Sequence, residues 1–258
     1  MILYFLIAIG ATTIGAITGM GGGVFMKPIL DILGDFSVST ISLLSAITVF
    51  FMALVSVYRQ RNSPQKPEAA IAVPLAAGAV VGGNIGSVLL NQLIGGMPGA
   101  QVTLVQNVLL AGLVVFVMIY MVKKSSIPSP KLSGIVPSAL VGLGLGVFAS
   151  FLGIGGGPIN VALIILLFDY PTKKATVCSL IVVLFSQAAK LVQVAVTVGF
   201  AGYNLQMAPV MVIGAIAGGT IGATIAKRID ENKADKLFQG AQVLILLICV
   251  VNIIKNIG

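Results

Sequence analysis

Long apolar stretches, each about the length of a membrane-spanning helix, follow one another along the whole chain. A helix that crosses about 30 Å of hydrocarbon needs roughly 20 apolar residues. Such stretches lie at 2–19, 37–58, 69–94, 101–122, 132–152, 175–199, 205–226 and 236–254. Because only 9% of the 258 residues are charged, there are too few charges to cover a soluble surface. The sequence therefore predicts an all-α polytopic membrane protein.

Two further apolar pieces, 24–34 and 158–168, have only half the length of a span. A helix of this length is about 16 Å long at 1.5 Å per residue. Each piece follows a glycine cluster, Gly19-Met20-Gly21-Gly22-Gly23 or Gly153-Ile154-Gly155-Gly156-Gly157. The pattern predicts a long helix, a break and a returning half-helix, twice over, with Asp35 and Asp169 terminating the half-helices. The sequence leaves open whether each pair re-enters on one face or crosses completely.

The two glycine clusters are part of an internal repeat. Gly153 lies 134 residues after Gly19, and Ser179 lies 134 residues after Ser45. At an offset of 136, a second run matches: Gly78, Gly82, Gly83 and Gly86 fall on Gly214, Gly218, Gly219 and Gly222. The spacing of this second run favours close helix packing. We therefore divide the chain into two repeats: 1–124, with hairpin 1–34 and spans 37–58, 69–94 and 101–122, and 125–258, with hairpin 132–168 and spans 175–199, 205–226 and 236–254.

Basic residues indicate the orientation of these repeats. Most Lys and Arg residues lie in four short segments between apolar runs: Arg59, Arg61 and Lys66; Lys123, Lys124 and Lys131; Lys173 and Lys174; Lys227, Arg228, Lys233 and Lys236. This is the distribution of cytoplasmic loops rather than of a nucleic-acid surface, so no nucleic-acid partner is expected. It places both termini outside and turns the two repeats in opposite directions. Inverted repeats with broken helices are typical of secondary transporters.

The glycine breaks predict an anion site. A half-helix that starts near mid-membrane presents amide groups without intrahelical partners and the positive end of its dipole. The glycines at the two starts are Gly21, Gly22, Gly23, Gly155, Gly156 and Gly157. Pro158, at a first helical position, supports a helix start there. The two starts are expected to face one anion from opposite sides; the alternative is that the glycines only permit close packing.

Lys27 and Lys190 are the basic residues that lie deep inside predicted spans. A charge at this depth is costly and usually faces the protein interior, so both lysines point to an anionic substrate. For Lys27 two alternatives stay open: its short segment would let it snorkel, and Asp31, one turn away, would pair with it. Asn160 and Gln187 are candidate hydrogen-bond partners for the same substrate.

At these residues the sequence resembles the TauE/SafE family of membrane permeases, also called the sulfite exporter family. The resemblance rests on G-x-G-G-G near the start of each half and continues in the second half through Asp169, Pro171, Lys174, Ala175 and Ser179. The first half departs from this pattern, with Lys27-Pro28 after the motif and Ser37 where the second half has Pro171. The resemblance implies transport of sulfur-containing anions, such as sulfite, sulfonates or sulfoacetate, across a prokaryotic plasma membrane.

The sequence thus predicts a secondary transporter of a small anion, with alternating access around a site between the two glycine breaks. A passive anion channel on the same scaffold remains an alternative, whereas the glycine breaks argue against a purely structural subunit. An intramembrane enzyme, such as a lipid-phosphate hydrolase, is disfavoured because the chain has no histidine and no glutamate in any span. No cofactor or resident metal is expected, and the expected partners are the anion, the bilayer and a second copy of the chain as a homodimer.

Overall fold

Helices account for all regular structure in the described part of the chain. The computed structural model describes every residue except 125, 155 and 258. Its helices are α1 (Ile2–Thr18), α2 (Gly23–Leu33), α3 (Val38–Gln60), α4 (Ala69–Gly96), α5 (Gly99–Lys123), α6 (Ile135–Phe151), α7 (Pro158–Phe168), α8 (Thr172–Thr197), α9 (Ala208–Arg228) and α10 (Glu231–Ile257). Among these, α3, α4, α5, α8, α9 and α10 are long and apolar enough to cross a membrane. The chain is therefore an all-helical, multi-pass membrane protein.

The helices α1 and α2 form a hairpin whose two ends lie on the same face. The Tyr4 hydroxyl at the start of α1 donates a hydrogen bond to the Asp35 carboxylate just after α2. The rings of Tyr4 and Phe36 pack edge to face with centroids 5.8 Å apart. The half-helix itself ends at Gly34, which has a left-handed conformation with φ of 75°, so Gly34 and not Asp35 is the C-cap. Asp35 instead joins the two ends of this hairpin, where α1 begins and α2 ends. We call this end of a hairpin its mouth.

The helices α6 and α7 form a second hairpin of the same kind. The Leu132 amide donates to the Leu167 carbonyl at 2.7 Å, and the Lys131 ammonium lies 3.2 Å from the Asp169 carboxylate. Asp169 has a left-handed conformation with φ of 56° and is the C-cap of α7, as the sequence predicts. The first arms, α1 and α6, have only 17 residues each, or about 25 Å. The stretches 2–19 and 132–152, expected as long spans, are therefore the first arms of helical hairpins and are shorter than the six helices that are long enough to cross a membrane.

The mouths of the two hairpins lie at opposite ends of α3. The first mouth, at Asp35, precedes the start of α3. Beyond the end of α3, the Glu68 carboxylate accepts hydrogen bonds from Tyr170 and, at 2.6 Å, from Lys174, next to the second mouth. The hydrogen bond from Lys174, followed by that from Tyr170, lowers the pKa of Glu68 to about 2. This carboxylate therefore stays ionised at neutral pH and keeps the start of α4 tied to the second mouth.

Closely packed glycines join the two halves of the chain. A β-carbon added at Gly82 of α4 would lie 2.0 Å from the carbonyl oxygen of Leu143 in α6. One added at Gly218 of α9 would lie 2.6 Å from the carbonyl oxygen of Ile9 in α1. These distances leave no room for a side chain, which confirms the packing role predicted for this glycine run. Each hairpin is thus held by a helix from the other half of the sequence.

Polar contacts lie at both ends of α10, which begins at Glu231 instead of at residue 236, the predicted start of the last span. The Lys255 ammonium donates to the Ile32 carbonyl at 2.7 Å, so this isolated charge binds the end of α2. The other end of α10 begins at Glu231 rather than at residue 236, because Glu231 accepts the Lys173 amide at 2.9 Å and Asp235 accepts the Thr172 hydroxyl at 2.5 Å. Side-chain contacts with the start of α8 therefore extend α10.

Candidate functional site

The tip of each hairpin is the turn between its two helices, α1 and α2 in the first hairpin and α6 and α7 in the second. The two tips meet inside the protein. A β-carbon added at Gly23 would lie 1.9 Å from the carbonyl oxygen of Ile154 in the other hairpin. One added at Gly156 would lie 3.1 Å from the carbonyl oxygen of Met20. Backbone therefore touches backbone, and a residue with a side chain at Gly23 would push the tips apart. The two glycine breaks, which are far apart in the sequence, form one junction.

Each tip also rests on the long helix that follows the other hairpin. The Ser179 hydroxyl of α8 donates to the Gly19 carbonyl at 2.7 Å, and the Thr176 hydroxyl donates to the Thr18 carbonyl at 3.3 Å. On α3, the Ser42 hydroxyl oxygen lies 3.0 Å from where a β-carbon on Gly153 would be. The helices α3 and α8 also pack against each other. These two helices therefore hold the tip junction from both sides.

Several of the predicted glycines have conformations or contacts that other residues would not tolerate. Gly21 and Gly156 have positive φ values of 79° and 147°, which L side chains rarely adopt. Gly22 is the N-cap of α2 and lies against Thr12 of its own hairpin, where a β-carbon would be 2.8 Å from the Thr12 methyl carbon. Gly157 is the extended N-cap of α7. Gly155, also predicted for the site, lies outside the described residues.

Unpartnered polar groups lie beside the starts of both half-helices. Asn160 is in the first turn of α7 and only 1% exposed, and neither atom of its amide has a hydrogen-bond partner in the described structure. Its Nδ2 atom lies 3.8 Å from where a β-carbon on Gly156 would be. Ser45 of α3 is fully buried beside Gly23, and its hydroxyl likewise has no partner there. Buried polar groups normally have partners, so both are free to bind a ligand at the junction.

Lys190 brings a buried positive charge next to this junction. It is 6% exposed, and its ammonium donates to the Ser42 hydroxyl at 2.7 Å and to the Ser42 carbonyl at 3.3 Å. An ammonium has three donors, so two bonds to Ser42 leave one for a ligand. The Ser42 hydroxyl also lies beside Gly153. Ser42 therefore lies between Lys190 and the tip of the second hairpin and contacts both.

Lys27 is also buried near this tip but already has an acidic partner. Its ammonium lies 2.8 Å from the Asp31 carboxylate, and the two side chains are 2% and 1% exposed. Of the alternatives drawn from the sequence, the structure contains the Asp31 pair, and the burial excludes snorkelling. The Lys27 side chain passes Gly153, with Cε 3.2 Å from where a β-carbon would be. Lys27 therefore lies at the junction with its charge balanced.

Gln187 lies on the face of α8 that contacts the junction. It is one turn after Val183, whose methyl carbon would lie 2.6 Å from a β-carbon on Gly156, and three residues before Lys190. Residues at these spacings share one helix face. Its Nε2 atom is 3.5 Å from the Ser186 hydroxyl, and Oε1 has no partner in the part of the chain described. Gln187 is therefore placed between the tip and the buried lysine.

A water-accessible cavity leads to Lys190 from the face that holds the mouth of the first hairpin. We call it the Lys190 cavity; it has a volume of about 50 Å³ and lies between the start of α3 and the ends of α4 and α8. Its polar lining includes Ser39, Ser42, Ser87, Asn91, Lys190 and Gln193. Ser42 and Thr176 are not among the residues that the sequence predicts for the site. They lie 134 residues apart, as Ser45 and Ser179 do, and this spacing is the signal that could have identified them.

The chemistry of this arrangement suits an anion. In the described residues, no three His, Cys, Asp or Glu side chains are grouped to hold a metal ion. Both cysteines, Cys178 and Cys249, are buried free thiols. Donor groups at the junction include the Lys190 ammonium, the amide of Asn160, the Ser45 hydroxyl and the amides of the two half-helix starts. Together they provide positive potential at the junction.

Comparison with known proteins gives one match. A family model described as "Sulfite exporter TauE/SafE" matches residues 4–252, which is almost the whole chain. Comparison with curated proteins gave no match, and comparison with solved structures gave none. The match covers both hairpins and all of the helices that surround the tip junction.

Proposed function

Because the chain belongs to the sulfite exporter TauE/SafE family, a family of membrane transporters, we propose that it is a secondary transporter of a small sulfur-containing anion. The anion binds at the junction of the hairpin tips, beside Lys190. Sulfite, a sulfonate and sulfoacetate are the substrate types that the proposal includes. The sequence has no G-x-x-x-x-G-K-[ST] motif for ATP, so in this proposal transport is driven by a gradient or powered by a separate chain.

The observation that carries the proposal is the meeting of two half-helix starts beside one buried, ligand-available lysine. Both α2 and α7 begin at the tips, so their first amides and positive dipole ends lie at the junction. Lys190 adds a full positive charge at the end of a polar cavity. The buried positive charge of Lys190, with unpartnered donors such as Asn160 close by, favours an anion over a neutral or cationic substrate.

The arrangement of the hairpins supports a transport cycle rather than a structural role. In our proposal, residues 1–124 and 125–258 are inverted repeats, both termini face outside, and the protein resides in a prokaryotic plasma membrane. The support is that the mouths lie at opposite ends of α3 and that basic residues gather near the second mouth. Two related halves around one site can then expose it alternately to each face.

Ligand-induced thermal stabilisation tests this proposal. We expect the unfolding temperature of the purified protein in detergent to rise by several degrees with one of sulfite, thiosulfate, sulfate, sulfoacetate, taurine or an aromatic sulfonate, but not with acetate. A ligand at 100 times its Kd stabilises the folded state by about 2.7 kcal/mol. The rise should be lost in Gly156→Ala and kept in Gly144→Ala, a glycine of the same hairpin that has open space around it. Absence of a rise with every sulfur anion would contradict the substrate class.

A further inference from the structure

A second, smaller cavity lies on the opposite face from the Lys190 cavity. We call it the Thr176 cavity; it has a volume of about 10 Å³ and lies between the end of α3, the start of α8 and the end of α9. Its lining includes Gln60, Ser63, Lys173, Thr176, Ala226 and Lys227. About 10–15 Å³ is needed for one water molecule, so this cavity is nearly closed, whereas the Lys190 cavity holds several.

The two cavities are lined by equivalent positions of the internal repeat. Residues of the Lys190 cavity match residues of the Thr176 cavity at the same two offsets that relate the glycine clusters. At an offset of 134 the matching pairs are Ser39 and Lys173, Ser42 and Thr176, Gln60 and Val194, and Ser63 and Thr197; at an offset of 136 they are Leu90 and Ala226, and Asn91 and Lys227. These six pairs relate α3 and the turn after it to α8, and α4 to α9, so the same structural feature is formed once in each half of the chain.

Each cavity ends at one of the hairpin tips. In the Lys190 cavity, Ser42 lies beside Gly153, with its hydroxyl oxygen 3.0 Å from where a β-carbon would be. In the Thr176 cavity, Thr176 lies beside Gly19, and the Cα atom of Thr176 is 2.7 Å from where a β-carbon on Gly19 would be. Gly19 and Gly153 are themselves equivalent. Since the tips touch each other, the junction is the barrier that separates the two cavities.

Both cavities carry positive charge, but at positions that are not equivalent. The charge of the Lys190 cavity is at its inner end, beside Ser42. The Thr176 cavity has Lys173 and Lys227, and the Lys173 ammonium donates to the Ile229 carbonyl at 2.7 Å. No carboxylate lines either cavity in the described residues. An anion is therefore favoured on both sides of the tip junction.

We propose that the two cavities are the two vestibules of one anion path, and that this structure has the Lys190 vestibule open and the Thr176 vestibule closed. Movement of the halves closes the first and opens the second, so that the anion at the tip junction is released to the other face. This inference rests on the proposed transport function. It adds the residues that line each access route and the side to which the present conformation opens.

Chemical modification of equivalent cysteines tests the inference. Thr197→Cys and Ser63→Cys are made in a Cys178→Ala/Cys249→Ala background and treated, in sealed vesicles of each orientation, with a membrane-impermeant cationic maleimide. We expect Thr197→Cys to react only from one face and Ser63→Cys only from the other, with Thr197→Cys reacting faster. After removal of the reagent, modification at either position should reduce uptake of radiolabelled sulfite at least about tenfold, which corresponds to about 1.4 kcal/mol.

A matched control separates this inference from the function on which it rests. Ser126→Cys, on an exposed turn outside both cavities, should be modified with no change in uptake. If modified Thr197→Cys and Ser63→Cys transport sulfite as fast as before modification, or if both react from the same face, the vestibule assignment is wrong. If the background protein itself transports no sulfite and no other panel anion, the proposed function fails instead. Ser39→Cys and Gln60→Cys repeat the test if a first variant does not fold.

Discussion

Replacing Lys190 with methionine is expected to reduce anion uptake by at least about a hundredfold, which corresponds to about 2.7 kcal/mol. Methionine retains much of the length of the side chain but removes the charge that ends the Lys190 cavity. Removing one partner of a buried charged interaction commonly costs about 2–5 kcal/mol in binding. Initial rates of radiolabelled sulfite uptake into proteoliposomes, at matched protein content, measure the effect.

The folded state of this variant should be retained, because the partners of Lys190 among the described residues are two neutral atoms of Ser42. Loss of the charge then leaves no unpaired carboxylate. Lys236→Met is the matched control, since it removes an exposed lysine near the second mouth and should leave uptake unchanged. Uptake by Lys190→Met at the rate of the Lys236→Met protein would remove Lys190 from the transport site.

Asp31→Ala is expected to lower the free energy of unfolding by about 3–5 kcal/mol, because it leaves Lys27 charged and buried without its partner. The pair is almost completely buried, with an N–O distance of 2.8 Å. Replacing both residues by apolar ones of similar size, Lys27→Met/Asp31→Leu, should restore most of the stability. Unfolding curves in detergent, followed by circular dichroism, measure both variants.

The matched comparison for this pair is an exposed one. Lys131 and Asp169 lie 3.2 Å apart at the second mouth, with side chains 73% and 55% exposed, and Asp169→Asn should cost about 1 kcal/mol or less. If Asp31→Ala is no less stable than Asp169→Asn, the buried pair does not hold α2 together. A stable double variant that no longer transports would assign the pair to the transport cycle instead of to stability.

The local features of the fold were predictable from the sequence because they depend on short stretches of chain. A glycine cluster followed by eleven apolar residues predicts a half-helix, and α2 and α7 have this length. Glycines spaced four apart predict close helix packing, and Gly78, Gly82 and Gly86 lie against α6. In each case the spacing of neighbouring residues contains the physical cause.

Features that depend on contacts between the two halves were not predictable in the same way. The length of 2–19 is compatible with either a span or a hairpin arm, and the contact between Tyr4 and Asp35 decides between them. The sequence places Lys27 near Asp31 but does not give the burial that makes their pairing energetically important. The proximity of Ser42 to both Lys190 and Gly153 depends on packing of α3 against the other half.

Transport by proteins with altered tips tests the central claim that the anion crosses at the junction of the hairpins. In proteoliposomes, Gly23→Ala and Gly156→Ala should each lose nearly all radiolabelled sulfite uptake, because the new methyl groups push against Ile154 and Val183. Gly10→Ala, on a helix position of the first hairpin with open space around it, should transport like the unaltered protein. Folded Gly23→Ala or Gly156→Ala protein that transports sulfite as fast as Gly10→Ala would contradict the account.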